Sequence, residues 1–549
     1  MGLFKKASVV MTPNGVKAGK VFSVKPANGD GDFTFTRYTA AGIAHRESSD
    51  GLLKSVASGV PRLDYSDGVC PALLLEPQST NLVTYPLSFI SNYWVKSKAS
   101  IEGDTNAAEV EVVVDGNFPE DTIVWPTTVG TDVYEGYAHI ISDGAWQYVR
   151  QLNAMEVGKS YVVSYEILPN EVGYGTLKMA NSFGISPIAS TVGVHSFKAV
   201  ALSTTLSFDR SLACNIKLAN ISVKEVQGFV SPDGTTNSYK LVPSVAAGSS
   251  YISLTASTGL KTNSFFLKKG ELSYVSVGNA AYVVVVDLIL GALSKSSDSI
   301  NNYSIEKHPN GWYRVSIYNK TASNYQIQLF TGVDSNGVNI TNNGTSGVYI
   351  YGAQLEALPY ATSLMLPAVE GSTVTRVADS CTNSGTPSDF GSAEGVLYAE
   401  IANITNGQDS RISISDGTLS NRASFAFAPT ANEAYCLVRF NGVQVIQNLN
   451  LDLGFSQTNF TKVAVKYKSG QSSLFVNGVK VISSSVTFSP TSSDFTLSIS
   501  GATGVPFYGK VRGVQVYKEA LTDTELYDLT KPLYSTFDVM TNDLQYDTI

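Results

Sequence analysis

The chain has 549 residues, too many for a single hydrophobic core, so three to five domains are expected. Charged residues make up only 15%, and Asp plus Glu (46) outnumber Lys plus Arg (38), giving a net charge of −8. With no Lys/Arg cluster along the chain, that balance argues against an electrostatic grip on nucleic acid or on an anionic membrane and favours neutral polar ligands.

Gly, Ser, Thr, Asn, Val and Tyr are abundant, which is the composition of an all-β protein with many turns. Residues 1 to about 60 place PNG, NGDGD and SSDG turns between short apolar pieces such as Val21–Val24 and Phe33–Phe35. The first residues, MGLFKKASVV, are too short an apolar run for a secretory leader, and Lys6 stands where a myristoylation motif takes Ser or Thr. Asn28–Asp32 is acidic enough to suggest calcium, but it lacks the later bidentate Glu of an EF-hand loop and is expected to be a plain turn.

The stretch Pro61–Leu82 is the join between residues 1–82, expected to be an N-terminal attachment region, and a row of sandwiches. Alternating stretches such as Glu109–Val114 and Tyr161–Ile167 predict a first β-sandwich over 83–228. A second is expected over 229–368 as a repeat of the first. Gly103, Thr105, Asn106 and Val110 match Gly234, Thr236, Asn237 and Leu241 at a spacing of 131, and Glu225 and Glu356 share that spacing. First and last strands of each repeat are expected to lie side by side, as in a jelly roll. Residues 369–393 are a linker or a crossing strand, with Thr373, Thr375 and Val377 alternating. Residues 394–530 then read as a meander with KSG and NG turns, closed by a short helix that Thr522 and Glu525 cap. The tail, 531–549, carries Leu533, Tyr534, Phe537, Val539 and Leu544 and is expected to pack on a neighbour.

Three phrases carry a resemblance. PRLDYSDGVCPALLLEPQSTNLVTY, preceded by PNGVKAGKVFSV and DGLLKSVASGV, resembles the amino-terminal region of tailed-bacteriophage fibre, spike and appendage proteins. HPNGWYRVSI (308–317) and VYIYGAQLEALPYATS resemble carbohydrate-binding-like modules of such fibres, with Trp312 as an anchor of its strand. GVLYAEI, FTKVAVKYKSGQSSLFVNGVKV and FYGKVRGVQVYKEALTDTELYDL resemble a laminin-G or concanavalin A-like jelly roll. The resemblance implies a virion protein made in the host cytoplasm: a head or tail fibre or appendage subunit, docked on other virion proteins through its N-terminal region and displaying lectin-like sandwiches to host surface glycans. A homo-oligomer, by preference a trimer, is expected, with no nucleic-acid partner and no membrane insertion. A capsular polysaccharide depolymerase and a decoration protein without a ligand are the alternatives.

No catalytic constellation is legible. Glycan hydrolysis needs two carboxylates across the bond, and no Glu-x-Asp-x-Glu run occurs. Asp523, Glu525 and Asp528 are explained by the positive end of their helix. His45, His139, His195 and His308 lie far apart, with no Gly-x-Ser-x-Gly elbow. Cys70, Cys214, Cys381 and Cys436 are scattered singly, without zinc or disulfide spacing, and are expected to be reduced and mostly buried. The expectation is therefore a protein without catalytic, metal or cofactor residues. For glycan stacking the candidates are Trp312, Trp94 and Trp146, with Trp125 the remaining tryptophan; each is also a natural core residue.

Overall fold

The structure is a computed structural model that describes residues 2–38, 43–103, 110–119, 124–128, 130–157, 159–225, 228–246, 248–256, 259–278, 283–296, 303–319, 325–368, 370–490, 494–499 and 505–532. It is all-β, with multiple β-sandwich sheets and a short C-terminal helix. The expected packing of the tail concerns residues that lie, from 533 onward, outside those described. The chain forms two compact units: Met1–Ser79 with Thr362–Met365 and Thr375–Ile549, and Thr80–Ala361 with Leu366–Val374.

The first unit departs from the expected division of the sequence. Residues 1–82 were expected to form a region apart from the last sandwich. Instead, the strand Gly509–Tyr517 pairs with Glu394–Asn403 on one side, and on the other with Val9–Met11 and Ala72–Leu75. Ser380–Thr382, in the expected linker, pairs with Phe33–Thr36. The physical reason is burial. Val9, Met11, Phe33, Phe35, Leu73, Leu75 and Cys381 share one core with Leu397, Phe425, Val463 and Val514 and would be exposed in a free-standing segment. Facing this sheet is a five-stranded sheet of Ser410–Ser415, Arg422–Phe427, Glu433–Phe440, Val443–Asp452 and Thr496–Ser498.

The expected turn chemistry is present. Between Ser472–Val476 and Val479–Ser484, Asn477 (φ 45°) and Gly478 (φ 83°) both take positive φ, as a two-residue type I′ hairpin requires. In the Asn28–Asp32 turn, the Asp32 carboxylate accepts the Ser23 N–H at 2.8 Å and the Lys20 ammonium at 3.1 Å. The helix Asp523–Thr530 is capped reciprocally by Thr522 and Glu525 (3.3 and 2.9 Å), with Leu521 and Leu526 buried. Thr522→Ala is expected to cost about 1 kcal/mol. Faster amide exchange confined to 523–530 would register the loss.

A buried ionic network explains the sequence of the join. Glu76, in LLLEPQ, accepts the Ser363 N–H and Oγ–H, each at 2.6 Å, pairs with Arg376 at 2.9 Å and also with Arg62. Arg62 and Arg37 both reach Asp379, whose Oδ2 takes the Glu76 N–H at 2.8 Å. Arg37 also donates to the carbonyls of Ala57 and Val60. These ion-paired side chains are at most 3% exposed. Burial opposes the charge on Glu76, but Arg376, Arg62 and the Ser363 bonds outweigh it and hold its carboxyl well below the usual range. Arg37, more weakly compensated, is pulled down to about 10, by burial first and then by Arg62.

The second unit contains two sandwiches, one inserted in the other. Tyr137–Ser142, Ser160–Leu168, Gly193–Val200 and Cys214–Glu225 form the larger sheet of the first, facing a smaller sheet of Tyr148–Gln151, Leu206–Arg210 and Leu177–Lys178. The other sandwich pairs Tyr239–Pro243, Val348–Glu356, Lys261–Lys269 and Trp312–Asn319 in one sheet and Ser250–Ala256, Tyr325–Thr331, Tyr274–Gly278 and Val283–Asp287 in the second. It also takes Val95–Ser97 and Ala99–Glu102, which were expected in the first sandwich, as edge strands beside Ser250–Ala256 and Tyr239–Pro243.

The spacing of 131 does not hold along the last strands, where the core residues Ile216, Leu218, Ile221 and Val223 match Val348, Ile350, Ala353 and Leu355 at 132. Glu225 pairs with Tyr161 and Glu356 with Thr262, and both partner strands carry a bulge, at Ser164/Glu166 and Ser264/Phe266. At the other landmark it fails too. Val110 pairs with Glu225 at the end of the last strand, whereas Leu241 pairs with Val348 at its start. By register the counterpart of Leu241, opposite Val348, is Ile140, opposite Ile216. Thr105 and Asn106 lie outside the described residues. The opening and closing segments are adjacent in both sandwiches: Val110–Glu111 pairs with Glu225–Lys224, and the Leu82 N–H donates to the Leu355 carbonyl at 2.8 Å.

Candidate functional site

Burial separates the four tryptophans. Trp94, 2% exposed, packs with Phe89 and Phe265 and donates its ring N–H to the Tyr85 carbonyl at 3.0 Å. Trp312, 1% exposed, lies edge-on to Tyr351, whose hydroxyl donates to Asp233 at 2.9 Å. Trp125 donates to the Val114 and Asp115 carbonyls from within the core. Neither Trp312 nor Trp94 presents a face to a ligand, because each is at most 2% exposed. Trp146 does: it is 56% exposed.

Trp146 stands just before Tyr148–Gln151, where strand alternation sends Val149 and Gln151 inward and Tyr148 and Arg150 outward. The Trp146 and Tyr148 rings are 5.2 Å apart, and the Arg150 guanidinium lies 4.5 Å from the Tyr148 ring. Register then sets the row: Tyr148 opposite Asp209, Arg150 opposite Ser207, and Lys178 on the far side of Asp209. Asp209 is fully buried, and its Oδ1 accepts the Ser207 hydroxyl at 2.9 Å. Its Oδ2 has no hydrogen-bond partner of normal geometry. Burial pushes the Asp209 carboxyl up from its usual range; Ser207, Lys178, Arg150 and the Trp146 indole oppose that shift.

This face combines an aromatic platform with two cations, Arg150 and Lys178, over the buried Asp209. Such a set can stack against the apolar face of a hydroxylated ring and hold its hydroxyls. It offers a single carboxylate among its outward strand positions, where glycoside hydrolysis needs two. Sequence reasoning named Trp146 and missed Tyr148, Arg150, Lys178, Ser207 and Asp209. Alternation in YVRQ and LSFDR marks them as outward-facing, but strand pairing is what unites them.

The equivalent face of the other sandwich is closed. Its outward Ser253, Ser276, Val285 and Gln328 are 2–7% exposed. The loop 332–347 folds over that sheet: Ser294 Oγ donates to the Ser335 carbonyl, Lys295 Nζ to that of Asn336, and a Cβ on Gly337 would come within 3.0 Å of Val285.

The other sequence candidates remain apart. His139 bonds Asn215, His195 the Thr191 carbonyl and His45 the Leu364 carbonyl, while His308 packs on Phe266. Cys214, Cys381 and Cys436 are buried, Cys70 is exposed, and none is in a disulfide. Among the described residues no group of three His, Cys, Asp or Glu could hold a metal ion, and no helix is long and apolar enough to cross a membrane.

Residues 397–526 match the family described as the Concanavalin A-like lectin/glucanases superfamily. The C-terminal module is a concanavalin A-like β-sandwich. No curated protein matches the chain. Among solved structures, similarity extends to the CBM40 of Ruminococcus gnavus IT-sialidase bound to α2,3-sialyllactose (20% identity, 26% of this chain and 84% of that one, TM-score 0.22). It extends also to domain 4 of AbnA, a GH43 arabinanase from Geobacillus stearothermophilus (13%, 30% and 84%, 0.22), and to Trypanosoma rangeli sialidase (9%, 93% and 98%, 0.21). At these TM-scores the likenesses carry no functional conclusion. What stands beside the concanavalin A-like module is the geometry of the Trp146 face.

Proposed function

We propose that this protein is a non-enzymatic, glycan-binding component of a bacteriophage particle, a head or tail fibre or appendage subunit that uses the Trp146 face to attach to host surface saccharide. The carrying observation is the exposed Trp146 ring beside Tyr148, with the Arg150 guanidinium over the Tyr148 ring. The virion setting is supported by the phrases from PNGVKAGKVFSV to LLLEPQSTNL, which resemble phage fibre and appendage proteins. Docking on other virion proteins falls to residues 1–82, where Val69 is 95% exposed. Assembly as a homo-oligomer, a trimer by preference, would multiply weak contacts by effective concentration.

The test is a glycan array with the full chain, followed by calorimetry on the best ligand. Trp146→Ala is expected to weaken binding about tenfold or more, from a stacking and burial loss of about 1.5–3 kcal/mol, and Arg150→Gln to weaken it while leaving circular dichroism unchanged. Undiminished binding in both variants would move the site elsewhere. Release of reducing ends from host capsule would overturn the non-enzymatic reading.

A further inference from the structure

The concanavalin A-like module is open on one side. Its larger sheet ends on Val479–Ser484, which among the described residues pairs with Ser472–Val476 alone, and the facing sheet ends on Val443–Asp452, which pairs with Glu433–Phe440. The two free edges lie on the same side, since the Ser484 hydroxyl donates to the Val445 carbonyl at 2.5 Å. Between them runs a cleft of about 740 Å³, lined by residues 444–450 and 482–484. Partners directly opposite in a ladder share a face. Val479 lies opposite Val476 and Ile482 opposite Leu474, and Val476 and Leu474 belong to the core, so Val479 and Ile482 point into the layer between the sheets. That layer is not filled there: Val479 is 60% exposed, and Ile482 and Leu451 are only partly buried. An edge strand with unpaired backbone groups and uncovered apolar side chains is a template for another strand. Its single charge, Lys480, is drawn to Asp523 of the helix at 2.9 Å.

The last described residues lie beside this edge. The helix Asp523–Thr530 runs back along Thr461–Lys468, with Asp523 3.7 Å from Lys466 at its start and the Lys531 carbonyl accepting the Lys462 ammonium at 3.2 Å past its end. There the Gly478 N–H donates to Thr530 Oγ1 at 3.1 Å, and a Cβ on Gly478 would come within 3.3 Å of Lys531 Cα. Gly478 immediately precedes Val479–Ser484. Pro532 cannot continue the helix, and residues 533–549 follow it, outside the described residues. Successive antiparallel pairings give Gly509–Tyr517 and Val479–Ser484 the same direction. A segment that leaves the helix at Gly478 and follows the free edge therefore runs parallel to both, as in a strand–helix–strand crossover.

We propose that the chain's own residues 533–540 dock on this edge as a parallel strand and close the open side of the module. In an extended LYSTFDVM segment, Leu533, Ser535, Phe537 and Val539 fall on one face, so three apolar side chains turn to the layer that Val479 and Ile482 leave open. Tyr, Thr, Phe and Val are residues that strands favour. Covering the 6 residues of Val479–Ser484 takes roughly 20 Å of extended chain, and the segment starts next to the first of them. A segment tethered so close acts at an effective concentration on the order of millimolar, which a second copy of the chain does not match at micromolar protein. An edge closed in this way no longer serves as a template on which other chains add strands.

Hydrogen–deuterium exchange on the full chain reads the docking. Protection is expected for residues 533–540 and for every amide of Val479–Ser484, including the alternate ones that face away from Ser472–Val476. It should be the same at low and high protein concentration. Phe537→Asp should speed exchange of those outward amides about tenfold or more, and Val479→Lys should do the same to residues 533–540. Glu433–Phe440 and the helix Asp523–Thr530 should keep wild-type rates in both variants, which separates undocking from unfolding. Unprotected residues 533–540 in the wild-type chain, or wild-type rates at both sites in both variants, would overturn the proposal. So would protection that grows only as the chain associates, which would make a second copy the occupant of the edge.

Discussion

Replacing Glu76 by alanine is expected to destabilise the first unit by about 3–5 kcal/mol, the cost of stripping one partner from a buried ion pair. The loss does not stop at one contact. Arg62 and Arg376 would be left facing each other with Asp379 as the remaining carboxylate of the network, and the Ser363 N–H and hydroxyl would lose their acceptor. Arg62 is buried completely and its charge is upheld against burial by Asp379 and Glu76, so losing one of the two carboxylates leaves it undercompensated. The double variant Glu76→Leu/Arg62→Met is expected to cost less than the two single changes summed, because it removes both charges. Chemical denaturation, with amide exchange to assign the transition to the first unit, measures both. A loss below about 1 kcal/mol for Glu76→Ala would mean that the network does not hold this unit together.

The same carboxylate sets a pH dependence. Its folded pKa lies below its unfolded value, so at low pH the unfolded chain binds the extra proton first. The contribution of Glu76 is fully present above the ordinary Glu range, about pH 4.3. It is lost progressively as pH falls through that range toward the depressed folded value. The stability difference between wild type and Glu76→Ala should therefore shrink on acidification from neutral pH.

Trp312→Ala is expected to cost about 3–5 kcal/mol in the second unit, as for other large aromatics cut from a packed interior. Trp312 and Phe266 both lie against Tyr351, and Tyr351 is tied through its hydroxyl to Asp233. The cavity would loosen that aromatic cluster. Glycan binding at the Trp146 face should survive at temperatures where the variant stays folded, whereas Trp146→Ala should show the reverse pattern, with stability within about 0.5 kcal/mol of wild type. Denaturation and array binding, run on both variants, read the contrast. Equal loss of binding in the two would mean that burial does not separate core from platform here.

How far the sequence could be read follows from what periodicity can and cannot encode. Alternation in FTKVAVKYK and the NG and Thr-x-x-Glu signals are local, and the hairpin and capped helix stand where those signals put them. Partner choice is not local. Val9–Met11 and Ala72–Leu75 look like strands of a small segment, and only the shared core shows that they complete the edge of Gly509–Tyr517. A period of two says that a residue faces outward without saying what stands beside it, which is why Tyr148, Asp209 and Lys178 could not be joined.

Val110 and Glu225, which open and close the inserted sandwich, are direct partners across one antiparallel ladder. Their Cα atoms therefore sit about 4.5–5.5 Å apart, so the sandwich leaves and rejoins its host at nearly a single point. An insertion with such a narrow stalk behaves as an interchangeable cassette. Its loops and binding residues can diverge, or the whole segment can be exchanged for another, while the host sheets keep their own registers. The surface this sandwich presents can then be changed by recombination at this point without disturbing the network around Glu76.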